Sequence, residues 1–255
     1  MSLKEKLSAV GLSVCKVTLT AALCLAGLLS VIYVFVTSNE LFSYFYCLAT
    51  ALFVALPLAL SVIFRWKMNL LFYILFTFYT FGPLLGAVYN LYYVLPWWDV
   101  LLHMLAGAVF AAVGAPISER LNKNNKTSYV LSALFGVLFS VAIAVLWEFF
   151  EYGSDVFLGS DMQADTVIHA IRTKINRTDG ITDVYHNITE TLVNGKPIGV
   201  KGYLDIGLID TMHDMITETV GAIAVFLYVL IDRNKHPVIT VLNTSNKTKG
   251  ENKND

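Results

Sequence analysis

The chain has 255 residues, of which 56% are hydrophobic and 15% charged, with a net charge of −1 and a mean hydropathy of +0.62. This composition excludes an ordinary soluble domain and favours a protein of the lipid bilayer. The balanced charge, with no basic stripe among aromatic residues, argues against nucleic acid as a partner, and the three cysteines lack the CxxC spacing of a redox or metal centre.

In chain order, six apolar runs are long enough to cross a bilayer, which takes about 20 helical residues. They cover residues 17–38, 41–64, 68–96, 100–118, 127–147 and about 208–231. The first run follows three lysines and is longer than the core of a signal peptide, so we expect it to stay attached as an anchor. The sequence therefore predicts an all-α, polytopic membrane protein with six transmembrane helices.

The distribution of basic residues predicts the orientation of these helices. Lys and Arg lie before the first run, between the second and third, between the fourth and fifth, and after the sixth, while the five in the long connection after the fifth run count for little in a loop of that length. Positive charge marks cytoplasmic loops, so both termini are predicted inside and the long connection over 154–205 outside. Trp66 fits the inner membrane interface, and Trp97, Trp98 and Trp147 fit the outer one. The expected location is a cell membrane, crossed several times.

The outer connection is too long for a simple turn, and we expect it to be partly ordered. Asp165 is a candidate N-cap for a short amphipathic helix. That helix would carry four apolar side chains on one face: Val167, Ile168, Ile171 and Ile175. Further along, the Asn194-Gly195 pair predicts a small hairpin.

Two more features concern the membrane domain, which we place at residues 1–236, and its tail. Gly107, Ala111 and Gly114 form a stripe of small residues on the fourth helix, which predicts close packing against a neighbouring helix. Residues 237–255 are rich in Asn, Lys and Thr and lack a core, so we expect a disordered cytoplasmic tail.

Acidic residues fall at hydrocarbon depth in the last three predicted helices. Counting about 20 residues back from Arg233 places the outer boundary near His213, which leaves Asp214 and Glu218 inside the membrane. The same count from the inner ends of the fourth and fifth helices adds Asp99, His103, Glu148 and Glu151. A charge at the centre of a membrane helix costs roughly 2.5 to 3.5 kcal/mol on insertion scales, and such residues commonly face the bundle interior and mark function.

Spacing keeps these residues on one face within each helix. Asp99 and His103 are four residues apart, and Glu148 and Glu151 are three apart. The sixth helix contributes acids at intervals of four, with a histidine beside them: Asp210, Asp214, Glu218 and His213. The three helices are therefore predicted to present their polar groups to a common outer chamber.

We interpret this cluster as a candidate divalent-metal site, because no Lys or Arg lies within these helices to neutralise it. Protons or a basic substrate are the alternatives. Carboxylates with imidazole suit Zn or Mn, while an all-oxygen subset suits Mg or Ca. The predicted ligands are Asp99, His103, Glu148, Glu151, Asp210, His213, Asp214 and Glu218, with His103, Glu148, Glu151 and Asp214 the first candidates. The predicted catalytic residues are His103, Glu148 and Glu151, either glutamate serving as general base toward metal-activated water.

The polar segments also carry a family resemblance. Residues 98–107 read WDVLLHMLAG, residues 147–151 read WEFFE with FLG at 157–159, and residues 210–214 read DTMHD. In this order they resemble motifs of the YjdF-like bacterial inner-membrane proteins, which implies the plasma membrane of a bacterium. A looser similarity reaches the VanZ-like membrane proteins, a group linked to glycopeptide resistance. Its residues here are Asp99 with His103, Glu151 with Gln163, and Asp214 with Glu218 and Gly221, where Glu218 replaces an Asn of that pattern.

The sequence leaves three functions open. The first is an enzyme or binding protein that acts on a lipid-linked or cell-envelope substrate at the outer leaflet, with membrane lipids as its surroundings. The second is a small cation or proton-coupled transporter, against which the chain shows no inverted repeat. The third is a structural or partner-binding membrane protein whose acids hold helices together through shared protons.

Overall fold

A computed structural model describes residues 3–38, 41–122, 128–175, 179–233 and 235–241. The helices are α1 Leu3–Ser8, α2 Val14–Thr37, α3 Leu41–Phe53, α4 Leu56–Phe64, α5 Leu70–Ala87, α6 Leu91–Val94, α7 Trp98–Leu121, α8 Tyr129–Leu158 and α9 Leu208–Asp232. The strands are β1 Trp66–Met68, β2 Thr166–Ile168, β3 Ala170–Thr173, β4 Asp183–His186, β5 Leu192–Val193, β6 Lys196–Pro197, β7 Tyr203–Asp205 and β8 Ile239–Val241.

Six helical stretches of the described chain are long and apolar enough to cross a membrane, which confirms the predicted number. They are α2, α3 with α4, α5, α7, α8 and α9. The third stretch is shorter than predicted, because α5 ends at Ala87 and Asn90 takes a left-handed conformation before the short α6. The predicted orientation of the termini and of the long connection stays a prediction.

Helix α8 continues past residue 154, where the long connection was predicted to begin. The apolar run stops at Trp147, but the helix continues to Leu158. Nothing in the last three turns breaks a helix, since they contain no proline and the single Gly153 is tolerated. Glu148 and Glu151 are therefore helical residues, as predicted, and Asp155 lies on the same helix.

The chain divides into two compact units, residues 1–143 with 217–255, and residues 144–216. The core of the first unit is built mainly from aromatic and small side chains on β1, α5, α7 and β8: Trp66, Met68, Phe72, Tyr73, Phe76, Val109, Ala112, Val113 and Ile239. Strand β8 pairs antiparallel with β1. It is an ordered start to the segment that the sequence predicted as a disordered tail, and residues 242–255 lie outside the described chain.

Helices α7 and α9 approach each other with their backbones in contact in the first unit. A methyl group added to Gly107 would overlap the carbonyl oxygen of Glu218, and one added to Gly221 would overlap that of Met104. Small residues allow membrane helices to pack this closely. The close helix packing that the small-residue stripe on α7 predicts is therefore present.

The second unit contains the ends of α8 and α9 and the connection between them. This connection folds into short antiparallel pairs, β2 with β7, β3 with β4 and β5 with β6. The hairpin predicted at Asn194-Gly195 is present, with both residues at positive φ as a tight turn requires. The amphipathic helix predicted after Asp165 is wrong, since β-branched Thr, Val and Ile occupy β2 and β3 and favour extended backbone.

Candidate functional site

Three buried carboxylates meet in the second unit. Glu148 and Glu151 come from α8 and Asp214 from α9. Each offers one oxygen, and these three oxygens lie within 4.8 Å of one another. The residues are 5%, 7% and 4% exposed, respectively, so bulk water does not screen them. We call this group the acid triad.

Helical geometry explains why the two glutamates converge. Residues three apart share a helix face, and α8 continues without a break through both positions. The indole Nε1 of Trp147 donates a hydrogen bond of 2.8 Å to Glu151 Oε1, within the same turn. This contact fixes the orientation of the Glu151 carboxylate and satisfies one of its acceptors.

The electrostatics of the triad are unfavourable without a positive partner. At an effective dielectric constant of about 20, two unit charges 4.8 Å apart repel each other by about 3.5 kcal/mol. Three such pairs give about 10 kcal/mol if every carboxylate is ionised. Neither α8 nor α9 contains a Lys or Arg. The triad can therefore hold protons or a cation, and it suits a ligand with several positive charges.

The loop that follows α8 is tied to both helices of the unit by hydrogen bonds to carboxylates. Asp155 Oδ1 accepts from Ser160 Oγ and from the backbone N–H of Met162, both at 2.7 Å, and its Oδ2 accepts from Gln163 N at 2.9 Å. The side chain of Gln163 donates to Thr211 Oγ1 on α9 at 2.6 Å. These contacts position the chain directly after the helix that carries the two glutamates.

Asp210, predicted as a metal ligand, also holds this loop. Its Oδ2 accepts from the backbone N–H of Ala164 at 2.7 Å. His213, another predicted ligand, is exposed on α9, whereas the next residue, Asp214, is buried. Within the described part of the chain, no group of ligand atoms within 4.8 Å includes either residue.

An acidic surface surrounds Asp165 on the same loop. Partial desolvation raises the pKa of its carboxyl, and repulsion from Asp161, Asp205 and Asp155 raises it further. Asp165 itself is exposed. This group therefore resists ionisation at the surface of the unit and is not part of the buried triad.

Three further predicted ligands belong to the first unit. His103 is 8% exposed, and its Nε2 lies 3.8 Å from Oδ1 of Asp99 on the preceding turn of α7. Glu218 is 3% exposed, and the hydroxyl of Ser140 lies 3.3 Å from its Oε1 and 3.2 Å from the carbonyl oxygen of Gly107. Metal ligation by any of these residues stays a prediction.

The sequence analysis did not identify some of the polar groups that bond to these carboxylates. The hydrogen bond between Trp147 and Glu151 could have been predicted, because the two residues are four apart, but the indole was interpreted only as an interface anchor. Ser140 carried no signal, because a lone serine in an apolar helix usually bonds to its own backbone. The role of Asp155 required knowledge of where the loop turns back.

The comparisons with known proteins agree with the membrane character of the fold. Residues 18–235 match the family described as predicted membrane protein (DUF2238). No curated protein and no solved structure matches the chain. The resemblance to YjdF-like proteins is consistent with this family, whereas the similarity to VanZ-like proteins finds no support. Because the match covers most of its length, the chain belongs to the DUF2238 family of predicted membrane proteins.

Proposed function

We propose that the acid triad binds one divalent cation and that the protein uses it to bind or process a lipid-linked or envelope substrate. The single observation that supports the proposal is the meeting of three buried carboxylate oxygens from two helices within 4.8 Å. Such a group is costly in a membrane protein unless a function retains it.

A divalent cation fits the triad better than protons alone. To remove the mutual repulsion, protons must neutralise at least two of the three carboxylates. One divalent ion supplies the same charge and attracts all three oxygens at once.

The donor set also indicates the class of ion. Three carboxylates provide only oxygen ligands, which suits Mg, Mn or Ca. Zn prefers nitrogen and sulfur donors and fits this set less well. We therefore expect Mn to be the most useful experimental probe, because it binds at oxygen sites and is detected by its magnetic and anomalous-scattering properties.

In this proposal the residues of the triad have different roles. Glu151 is held by the Trp147 indole and is suited to remain a fixed ligand. Glu148 is the candidate general base toward a water or hydroxyl that the cation would activate. Because α8 and α9 are both candidate spans, a substrate carried on a lipid has the most direct access to such a site.

Mn binding to purified protein tests the proposal. We expect one tightly bound Mn per chain in the wild type and an affinity at least about 100-fold lower in Glu148→Gln and Asp214→Asn, since even outer partners of metal ligands contribute 10-fold to 100-fold. Glu190→Gln, an equivalent change at an exposed acid of the second unit, serves as the control and is expected to bind normally.

Substrate use is tested in the same preparations. Lipids that co-purify with the wild type are compared before and after chelation, and the proposal expects a lipid-linked species that is lost with the cation. Equal Mn binding by wild type and both triad variants would contradict the metal site. Cation flux in proteoliposomes that requires Asp214 would favour transport instead.

A further inference from the structure

A lateral groove in the first unit is separate from the acid triad. It has a volume of about 340 Å³ and lies between α5, α7 and α9. Its floor is formed by the buried Phe72, Val109 and Ala112. Its rim includes Leu71 and Ala224, which are exposed. The groove is therefore open at the surface that these candidate spans present to lipid.

The lining of the groove is almost entirely apolar along the helices and becomes polar at one end. Leu75, Leu105 and Ala108 belong to this apolar lining. At the end next to the β1–β8 pair, it is bordered by Asn69 and Tyr228. The Tyr228 hydroxyl donates to the carbonyl oxygen of His236 at 2.9 Å, so this end is held in place by the segment after α9.

Basic residues are close in sequence to the residues that line this polar end. Lys67 lies in β1, two residues before Asn69, and is exposed. Arg233 and Lys235 lie in the segment between α9 and β8, and both are also exposed. A groove with an apolar body and a cationic end is complementary to a molecule with an apolar chain and an anionic head.

We propose that this groove is a binding site for one anionic phospholipid, with an acyl chain along α5, α7 and α9 and the phosphate beside Lys67, Arg233 and Lys235. The positive-inside rule predicts that this end faces the cytoplasm, where anionic lipids give the leaflet a negative surface potential. The site would attach the protein to a defined lipid independently of any chemistry at the acid triad.

The polar end of the groove favours a lipid over a helix from another protein. An acyl chain is narrow and flexible, and it can follow the floor between Val109 and Ala112. The cationic end adds a selectivity for headgroup charge that a purely apolar helix contact would lack.

Native mass spectrometry of the full chain, purified in detergent and titrated with either phosphatidylglycerol or phosphatidylcholine, tests the proposal. The wild type is expected to retain one phosphatidylglycerol in preference to phosphatidylcholine. Ala224→Phe, which fills the exposed rim of the groove, is expected to lose this retained lipid. Ala22→Phe, the same change at an exposed alanine of α2, is expected to keep it.

A second variant tests the charged end without changing the groove. Replacing Lys67 and Lys235 together by Gln is expected to weaken phosphatidylglycerol binding about 30-fold, equivalent to about 2 kcal/mol, and to leave phosphatidylcholine unaffected. Glu148→Gln is expected to retain the lipid, which separates this site from the proposed metal site.

Three results would overturn the lipid site. The first is equal retention of the two lipids by the wild type. The second is unchanged retention in Ala224→Phe. The third is a dimer in the wild type that Ala224→Phe converts to a monomer, since a second copy of the chain would then be the occupant.

Discussion

The contact between α7 and α9 at Gly107 makes a sharp prediction about stability. A Cβ at this position meets the backbone carbonyl of Glu218, which cannot rotate away as a flexible side chain could. The two helices must separate or tilt, so that neighbouring contacts in the first unit loosen as well. Overpacking of this kind typically lowers the free energy of unfolding by 1–3 kcal/mol. Because the carbonyl of Glu218 belongs to a rigid backbone, we expect Gly107→Ala to cost about 3 kcal/mol.

The assay is thermal unfolding in detergent, followed by tryptophan fluorescence. For a chain of this size, about 3 kcal/mol corresponds to a fall in Tm of roughly 6–12 °C. Gly153→Ala is the matched control, because the nearest atom to its added Cβ is 4.0 Å away and alanine favours the helix. We expect the control to be neutral or stabilised by about 0.5–1 kcal/mol. Equal Tm values for Gly107→Ala and the wild type would refute the close backbone contact.

Three further predictions concern the second unit. Trp147→Phe removes the donor to Glu151 and should weaken Mn binding by about 10-fold to 100-fold in a calorimetric titration, and unchanged affinity would exclude a positioning role for the indole. Asp155→Asn weakens the charged acceptor of the loop and should reduce hydrogen-exchange protection at the amide of Gln163, whereas equal protection would contradict its role as the loop's anchor. The pKa of Asp165 is raised in the folded state, so its contribution to stability is present below the unfolded pKa and is lost as the pH rises through the folded value. Asp165→Asn should therefore stabilise the unit at pH 7 but not under acidic conditions, as measured by chemical denaturation, and a stability difference that does not change with pH would refute this interpretation.

Hydropathy was sufficient to predict the six spans, because the thickness of the bilayer sets a minimum apolar length. Helix α8 runs to Leu158, past the predicted start of the connection at residue 154, because nothing in its last turns breaks a helix. The presence of Glu148, Glu151 and Asp214 on candidate spans was predictable for the same reason as the spans themselves. The distances between these three side chains were not predictable. Periodicity assigns residues to one face of each helix, but it does not fix how neighbouring helices are rotated about their axes.

The features that the sequence could not predict share one cause, which is dependence on distant contacts. Asp210 shares the spacing of four with Asp214, but its hydrogen bond with a loop amide far along the chain could not be predicted from that spacing. The apolar residues of the connection were compatible with a helix. Pairing of β2 with β7 stabilises extended strands there instead. Such pairings join residues that are distant in sequence, and a single sequence does not show which distant residues pair.

Anomalous scattering from a crystal grown with Mn shows whether the acid triad binds a cation. We expect one strong peak among the carboxylates of Glu148, Glu151 and Asp214, at about 2.0–2.6 Å from an oxygen of each. Well-ordered carboxylates without a peak between them, or a peak confined to the exposed acids of the connection, would contradict this expectation.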